Sequence, residues 1–336
     1  FSGDAGKGLV ILSCELIDNN GRELAVCVDR HIAGWALPAG FASWVKNSCV
    51  FCSTLVDRIV PGRIRDAVAA AKIEEELGYQ DKLLDVGEVF GFWVIEGPQS
   101  LAGELPFAKA GLPVIFTDDV APYKKRKVRI LNGAHTSMVL GAYLAGQNIV
   151  RGCMQDEVIR GFMNKAIYEE IIPTLPLPKG ELEEFAAAVA DRFNNPFVDH
   201  ELLSISLNST SKWRARVQPS LEGYLEEKGS LPRCLAMSLA ALIAFYGCYI
   251  EAREENALAC RRPAGDAYRV MDDAWVLDFY WQHKGSAPGA LVEAVLKNEG
   301  MWGRDFTALP GLAETVKADL AIILEKGAYE AYRSCL

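Results

Sequence analysis

The sequence predicts a mixed α/β part over residues 1–120 that is followed by a mostly α-helical part over residues 121–336. Two patterns indicate this class. Short β-branched apolar runs alternate with turn signals and helical spacing in the first part. From Pro122 onward, long segments with helical periodicity replace the strand-like runs. The chain of 336 residues is 50% hydrophobic, which suits two domains with a sizeable core.

The first part contains strand candidates that end at turn signals and helix candidates that end at glycine or before proline. The strand candidates are residues 8–13, 50–60, 89–95 and 113–117, and the helix candidates are residues 22–32, 38–46 and 63–77. The first run has the composition of a buried strand, yet little precedes it. A buried strand needs neighbours, so we expect the chain to be a fragment of a longer protein.

The second part is predicted to be all-helical. Its helix candidates are residues 124–144, 154–172, 181–193, 202–217, 232–246, 266–282, 288–296 and 312–332. The change near residue 120 is expected to be a change of structural class within one compact body.

Charge and cysteine usage exclude several kinds of protein. The net charge of −9 argues against a nucleic-acid binder. The longest apolar run, residues 234–248, is too short to cross a membrane. The nine cysteines are scattered, as is typical of reduced thiols in a cytoplasmic protein. Cys49 and Cys52 form a CxxC pair without the second pair that zinc requires, so we expect no metal.

The segment from Lys127 to His135 carries the clearest chemical pattern. It places Lys127, Asn132 and His135 at offsets of zero, five and eight. In an α-helix these side chains would lie at about 0°, 140° and 80° around the axis. A cation, an amide and an imidazole on one side of a helix suit carbonyl/alcohol chemistry, which needs proton transfer and support for a charged oxygen.

This KxxxxNxxH pattern resembles the signature of the polyol-specific long-chain dehydrogenases, the mannitol dehydrogenase family. Residues 13–21 and 51–59 resemble two further segments of the family, and the similarity runs from about Gly8 to the C-terminus. The residues of these segments resemble one branch of the family in particular, which acts on hexuronates. The resemblance implies a metal-independent enzyme that uses NAD to interconvert D-tagaturonate and D-altronate. It also implies a monomer.

Members of the family begin with a Rossmann domain that carries a glycine-rich dinucleotide fingerprint. No GxGxxG follows a strand in this chain. Residues 1–120 are therefore expected to be a remnant of the cofactor domain with a mixed α/β extension, and the cofactor-binding residues stay unassigned. Residues 121–336 are expected to form the catalytic domain, which resembles the C-terminal helical domain of 6-phosphogluconate dehydrogenase.

The resemblance implies roles for four catalytic candidates. Lys127 would be the general acid/base, although it could be one more solvated cation in the basic run 124–127. Asn132 would stabilise the oxyanion, and Asn20 could complete that site. The family often has an asparagine at the position of Leu16, so which asparagine serves is open. His135 would bind a substrate hydroxyl.

Three further residues are candidates for substrate binding. Asp57 and Arg58 match a Val-Asp-Arg segment of the family, although an ion pair that fixes the strand end is equally compatible. Lys212 matches a lysine that reaches the substrate, whereas a nearby family arginine is replaced by Ser204. Lys or Arg side chains suit the carboxylate of a hexuronate. Its candidate partners are Lys212, Arg214 and Arg216.

Two kinds of alternative remain open from the sequence. Fructuronate or mannitol could be the substrate in place of tagaturonate. A chain without its cofactor domain could also be a non-catalytic helical interaction module.

Overall fold

A computed structural model describes residues 4–15, 17–60, 63–64, 66–197 and 199–336. The chain forms two compact units, Phe1–Lys124 and Lys125–Leu336. Leu16, where the family often has an asparagine, lies outside the described residues. So do Pro61 and Gly62, the turn residues that follow the predicted strand over 50–60.

The first unit contains a four-stranded mixed sheet in the order β1-β2-β3-β4. Strand β1 is parallel to β2, β2 is antiparallel to β3, and β3 is parallel to β4. Three of the strands lie within predicted runs, and β3 ends one residue beyond the run predicted over 89–95. The strands are β1 (Val10–Leu12), β2 (Val50–Asp57), β3 (Phe92–Glu96) and β4 (Val114–Thr117).

Helices flank these strands in the first unit. Helix α3 shows why its ends fall where they do: the Asp66 carboxylate accepts hydrogen bonds from the amides of Val68 and Ala69, and Gly78 ends the helix at a φ of 77°. The helices are α1 (Asn20–Gly34), α2 (Ala39–Ser48), α3 (Ala67–Leu77) and α4 (Leu101–Glu104).

Helix α1 begins directly against strand β2. A Cβ atom on Gly21 would lie 2.4 Å from the carbonyl carbon of Cys52, so only glycine fits at this position. Cys52 is fully buried in a small core with Ile95 and Leu101. Cys49 instead follows the end of α2, so the two cysteines of the CxxC pair occupy different elements.

The second unit is built mainly from helices. They are α5 (Ala121–Arg126, which starts in the first unit), α6 (Gly133–Leu144), α7 (Val150–Gln155), α8 (Glu157–Lys165), α9 (Lys179–Phe193), α10 (Leu202–Ile205), α11 (Ser209–Arg216), α12 (Gln218–Lys228), α13 (Arg233–Ile243), α14 (Ala274–Gln282), α15 (Pro288–Leu296), α16 (Glu299–Trp302), α17 (Leu312–Lys326) and α18 (Ala328–Arg333). Three π-helical segments extend or join them: Lys127–Asn132, Ala166–Ile171 and Ala244–Cys248.

The prediction of an all-helical second part is wrong in one region. Strands β5 (Ile250–Glu254), β6 (Ala257–Arg261) and β7 (Ala267–Val270) form an antiparallel sheet there. The predicted helix over 266–282 therefore begins as a strand. Tyr268 and Val270 alternate with exposed residues, which is the period of a half-buried strand. The Tyr268 hydroxyl donates to the carbonyl of Phe245 at 2.8 Å.

The predicted helix over 202–217 is divided in two. Asn208 separates α10 from α11 with a φ of 53°, a left-handed conformation that asparagine tolerates. The backbone N–H of Asn208 donates to the carbonyl of Met271 at 2.9 Å, which joins this break to the segment after β7. As a result, α11 is a separate short helix.

Helix α13 is the central element of the core, with ten of its residues buried. Its N-terminus is capped from a distance by the buried carboxylate of Glu170, which accepts from the amides of Cys234 at 2.8 Å and Leu235 at 2.9 Å. A carboxylate at a helix N-terminus satisfies donors that have no partner within the helix. Burial raises the pKa of Glu170 above its ordinary value.

Candidate active site

The segment from Lys127 to Asn132 is a π turn, and this changes the predicted geometry. The Gly133 amide donates to the carbonyl of Val128, five residues earlier. Because a π turn closes over five residues, Asn132 lies about one turn along from Lys127. An α-helix would have placed the two about 140° apart. His135 follows in α6, about 60° from Asn132. The backbone therefore brings the three positions to one side, more closely than predicted.

His135 is buried among aromatic rings. Its side chain stacks on Phe193 with ring centroids 3.9 Å apart, and it meets the edge of His200 at 5.4 Å. The residue is only 6% exposed, and its Nε2 has no hydrogen-bond partner among the described residues. A buried polar atom without a partner is costly, so this nitrogen suits a bound ligand or water.

Positive charge surrounds this imidazole. Burial is the main cause that lowers the pKa of His135 well below its usual 6.5, and the charges of His200, Arg216, Arg192 and Lys212 lower it further. His135 is therefore neutral at pH 7. Burial likewise lowers the pKa of His200.

Two of these cations, Lys212 and Arg216, lie on α11. The Lys212 ammonium donates to the carbonyl of Ile205 at 3.0 Å, and Nη1 of Arg216 lies 3.4 Å from the Thr136 hydroxyl, next to His135. Burial lowers the pKa of both cations. The Arg216 carbonyl is also 3.3 Å from the position of a Cβ on Gly133, so α11 directly abuts the end of the π turn.

Arg214 points elsewhere. It is exposed, and its Nη1 donates to the carbonyl of Gly300 at 3.4 Å. With Asp272, Asp273 and Trp275 it lines a separate cavity of about 180 Å³. The structure thus separates this candidate for the carboxylate from the residues around His135. Ser204 is occupied locally, because its hydroxyl donates to the Glu201 carbonyl at 2.7 Å.

The amide of Asn20 is fully engaged within the first unit. Its Nδ2 donates to the carbonyls of Ser13, Glu15 and Thr54 at 2.9–3.1 Å. Its Oδ1 accepts from the amides of Gly21 and Thr54, both at 2.9 Å. These bonds hold the start of α1 against the two strands and leave no donor for an oxyanion. The predicted catalytic role of Asn20 is therefore not supported by the geometry.

Asp57 and Arg58 lie where β2 ends. Asp57 is buried, and Nε of Arg58 donates to the Glu88 carbonyl at 2.9 Å. Both line a groove of about 350 Å³ with mostly apolar walls, which include Cys14 and Phe92. The groove lies where β2 ends and where β3 and β4 begin.

The described residues contain no group of three or more His, Cys, Asp or Glu side chains that could hold a metal ion. Nor is any helix within the described ranges long and apolar enough to cross a membrane.

The sequence analysis missed three residues of the cluster. Arg192, Phe193 and His200 contact or act on His135 but lie about 60 residues from it in sequence. The scarcity of histidine is the one available signal, since two of only four histidines meet here.

The buried imidazole is expected to make the stability depend on pH. The unfolded chain takes up a proton near pH 6.5, whereas folded His135 does so only well below that value. The stability that the neutral His135 imidazole contributes is therefore fully present above about pH 6.5, and it is lost as the pH falls below that value. Urea unfolding between pH 7 and pH 5 should show a loss that approaches about 1.4 kcal/mol per pH unit for this one group.

His135→Phe should remove that part of the slope, because the ring stays but the titrating nitrogens go. His31→Gln is the control, since His31 is exposed and lies outside the cluster. An unchanged slope in His135→Phe would contradict the assignment.

The comparisons with known proteins now identify the class of protein. The model of the mannitol dehydrogenase Rossmann domain matches residues 1–109, and the model of the mannitol dehydrogenase C-terminal domain matches residues 119–324. These two matches agree with the α/β first unit and the mainly helical second unit of the structure. The match over residues 1–109 does not support the expectation that only a remnant of the cofactor domain is present.

The sequence relatives agree with these models. The chain is 50% identical over 339 aligned positions to altronate oxidoreductase of Escherichia coli O139:H28 (strain E24377A / ETEC), covering 99% of this chain and 67% of the relative. It is 49% identical, with the same coverage, to altronate oxidoreductase of Escherichia coli O17:K52:H18 (strain UMN026 / ExPEC). The chain belongs to the mannitol dehydrogenase family, a family of oxidoreductases.

Solved structures share the fold. The mannitol 2-dehydrogenase of Pseudomonas fluorescens, in a ternary complex with NAD and D-mannitol, aligns with a TM-score of 0.69 at 22% identity over 97% of this chain. A D-sorbitol dehydrogenase in substrate-free form aligns with a TM-score of 0.76 at 24% identity over 96%. The chain spans 62% of the length of each of these two proteins.

Proposed function

We propose that this chain carries the catalytic apparatus of an NAD-dependent oxidoreductase that interconverts D-altronate and D-tagaturonate. In this proposal residues 1–120 contribute to cofactor binding, and residues 121–336 bind the substrate and supply the reacting side chains. The similarity to altronate oxidoreductases over 99% of the chain supports this substrate pair over fructuronate and mannitol.

The observation that carries the proposal is the π turn at Lys127–Asn132. π turns inside α-helices are rare and frequently mark functional sites. On this proposal the π turn serves to bring Lys127 and Asn132 to positions about one turn apart, and α6 adds the neutral imidazole of His135. These three groups meet the needs of alcohol oxidation without a metal ion.

We assign each group a separate task. In tagaturonate reduction, Lys127 donates a proton to the oxygen of the keto carbon, and it takes that proton back when altronate is oxidised. Asn132 donates a hydrogen bond to the same oxygen and so stabilises its negative charge without itself being charged. Neutral His135 uses the unpaired Nε2 to hold a substrate hydroxyl.

The groove beside β1 and β2 fits part of a dinucleotide. Its apolar walls suit the face of a flat ring, and the charged side chains of Asp57 and Arg58 are among the residues that line it. We propose that these two residues face the cofactor or the nearest substrate hydroxyl. Bound NAD supplies the hydride acceptor for the reaction.

The test is nicotinamide absorbance at neutral pH with a panel of substrates. D-altronate, D-mannonate and D-mannitol are offered with NAD, and D-tagaturonate and D-fructuronate with NADH. We expect kcat/KM for the altronate–tagaturonate pair to exceed that for the other compounds by at least tenfold. A preference for mannonate or mannitol would overturn the substrate assignment. Absence of turnover with every compound would favour a non-catalytic module.

A further inference from the structure

We infer that Lys212 and Arg216 form the site for the substrate's carboxylate, and that Arg216 is the residue that makes the protein select a sugar acid over a neutral polyol. This inference rests on the proposed function for the identity of the acid. The site itself is argued from the second unit alone.

The first observation is that both cations lack a counter-ion in the part of the chain that the structure describes. Among the described residues, the Lys212 ammonium has one hydrogen bond, to the Ile205 carbonyl, and the Arg216 guanidinium has one long contact, to Thr136. Neither makes an ion pair with an acidic side chain within that part of the chain. Partly buried cations are costly unless an anion compensates them, and a carboxylate ligand would do so.

The second observation is the position of the two residues on α11. They are four residues apart, about 40° around the helix, so their side chains are neighbours. Like charges at this spacing repel each other and destabilise an isolated helix. A carboxylate between them would turn this repulsion into two favourable contacts.

The charge of Asp272 acts on Lys212 but does not neutralise the pair. One of its oxygens accepts from the Tyr246 hydroxyl at 2.7 Å and lies 3.3 Å from the Thr210 amide. The other accepts from the Asp273 amide at 2.8 Å. Asp272 therefore secures the start of α11 and leaves Lys212 and Arg216 for a ligand.

The third observation is the imidazole beside them. Nε2 of His135 is buried and has no hydrogen-bond partner in the described ranges, and Thr136, the next residue, contacts Arg216. An unsatisfied polar atom and two uncompensated cations thus meet at one place. A substrate with a carboxylate and adjacent hydroxyl groups supplies a partner for each of them.

Arg214 provides a matched control on the same helix. It lies two residues from both Lys212 and Arg216, about 200° around the axis, and it contacts Gly300 instead. Replacing Arg214 removes the same charge and the same kind of side chain from the opposite side of α11. A general effect of positive charge would appear in both variants, whereas a carboxylate site would respond only to Arg216.

The experiment compares the wild type with Arg216→Met, Arg216→Lys and Arg214→Met. Isothermal titration calorimetry measures the Kd for D-altronate and for D-altritol, the polyol in which a CH₂OH group replaces the carboxylate. We expect the wild type to bind altronate at least tenfold more tightly than altritol. Arg216→Met should weaken altronate binding about tenfold or more and leave altritol unchanged. Arg216→Lys should keep part of the preference, and Arg214→Met all of it.

A second readout does not require turnover or the altronate assignment. NMR of the His135 ring measures its pKa with and without D-gluconate, which serves as a general sugar-acid probe. A carboxylate beside the ring should raise that pKa, because negative charge favours the protonated imidazole. Arg216→Met should abolish the change. If gluconate raises the pKa but altronate is not oxidised, the proposed function fails and the carboxylate site stands.

Three results would overturn the inference. One is an equal loss of altronate and altritol binding in Arg216→Met, which would indicate a structural role. Another is an equal loss of altronate binding in Arg214→Met, which would indicate a general effect of positive charge. The third is an altronate preference that survives Arg216→Met.

Discussion

Replacing Lys127 by alanine is expected to lower kcat for altronate oxidation by about 10³-fold, since a positioned acid/base contributes roughly 10²–10⁴-fold to such reactions. The loss should fall on kcat, because the substrate would still be held by His135 and α11. Lys127→Arg should be nearly as inactive, because a guanidinium keeps the charge but does not release its proton near neutral pH. Steady-state kinetics at several substrate concentrations separates kcat from KM.

Lys125→Ala is the control, since Lys125 is exposed on the same helix two residues earlier. It should leave kcat unchanged. Added methylamine should restore part of the activity of Lys127→Ala if the missing group is a proton donor. Retention of more than a tenth of wild-type kcat in Lys127→Ala would remove this residue from the chemistry.

Glu170→Ala is expected to have the largest effect on stability, roughly 4 kcal/mol of unfolding free energy. The change leaves the buried amides of Cys234 and Leu235 without their acceptor at the start of the core helix. It also leaves a cavity where the side chain was. Urea unfolding followed by circular dichroism measures the difference.

Glu170→Gln tests the two acceptor oxygens separately, because each accepts from a different amide. The amide oxygen of glutamine can keep one of these hydrogen bonds, whereas its NH₂ group would face the other backbone N–H. We therefore expect an intermediate cost of roughly 2 kcal/mol. A variant Glu170→Ala as stable as the wild type would show that other groups cap α13.

The sequence predicted the strands of the first unit well. Each strand is a β-branched run between turn residues, and that local signal coincides with burial in the sheet. Helix α15, Pro288–Leu296, was predicted to the residue because proline favours the first turn. The three short strands after α13 were missed, because they are brief and rich in charged residues.

The site was harder to predict because it depends on contacts that are distant in sequence. The spacing of Lys127, Asn132 and His135 was visible, but the π turn that aligns the first two has no simple sequence signal. Asn20 looked like a donor for substrate, whereas the backbone around it uses all of its hydrogen-bonding capacity. Similarly, Arg216 and Arg214 differ in what the two sides of α11 contact in the folded chain, which are Thr136 and Gly300 respectively.

The close approach of α11 to Gly133 bears on the length of the molecules that this scaffold accepts. The Arg216 carbonyl sits 3.3 Å from where a methyl group on Gly133 would be, so the main chains themselves set the gap between the two helices. Side chains can swing, but two backbones in contact cannot. On the proposed assignments, this close approach keeps the helix that binds the acid end of the sugar next to the segment that holds the reacting carbon, and so limits the number of carbon atoms between them.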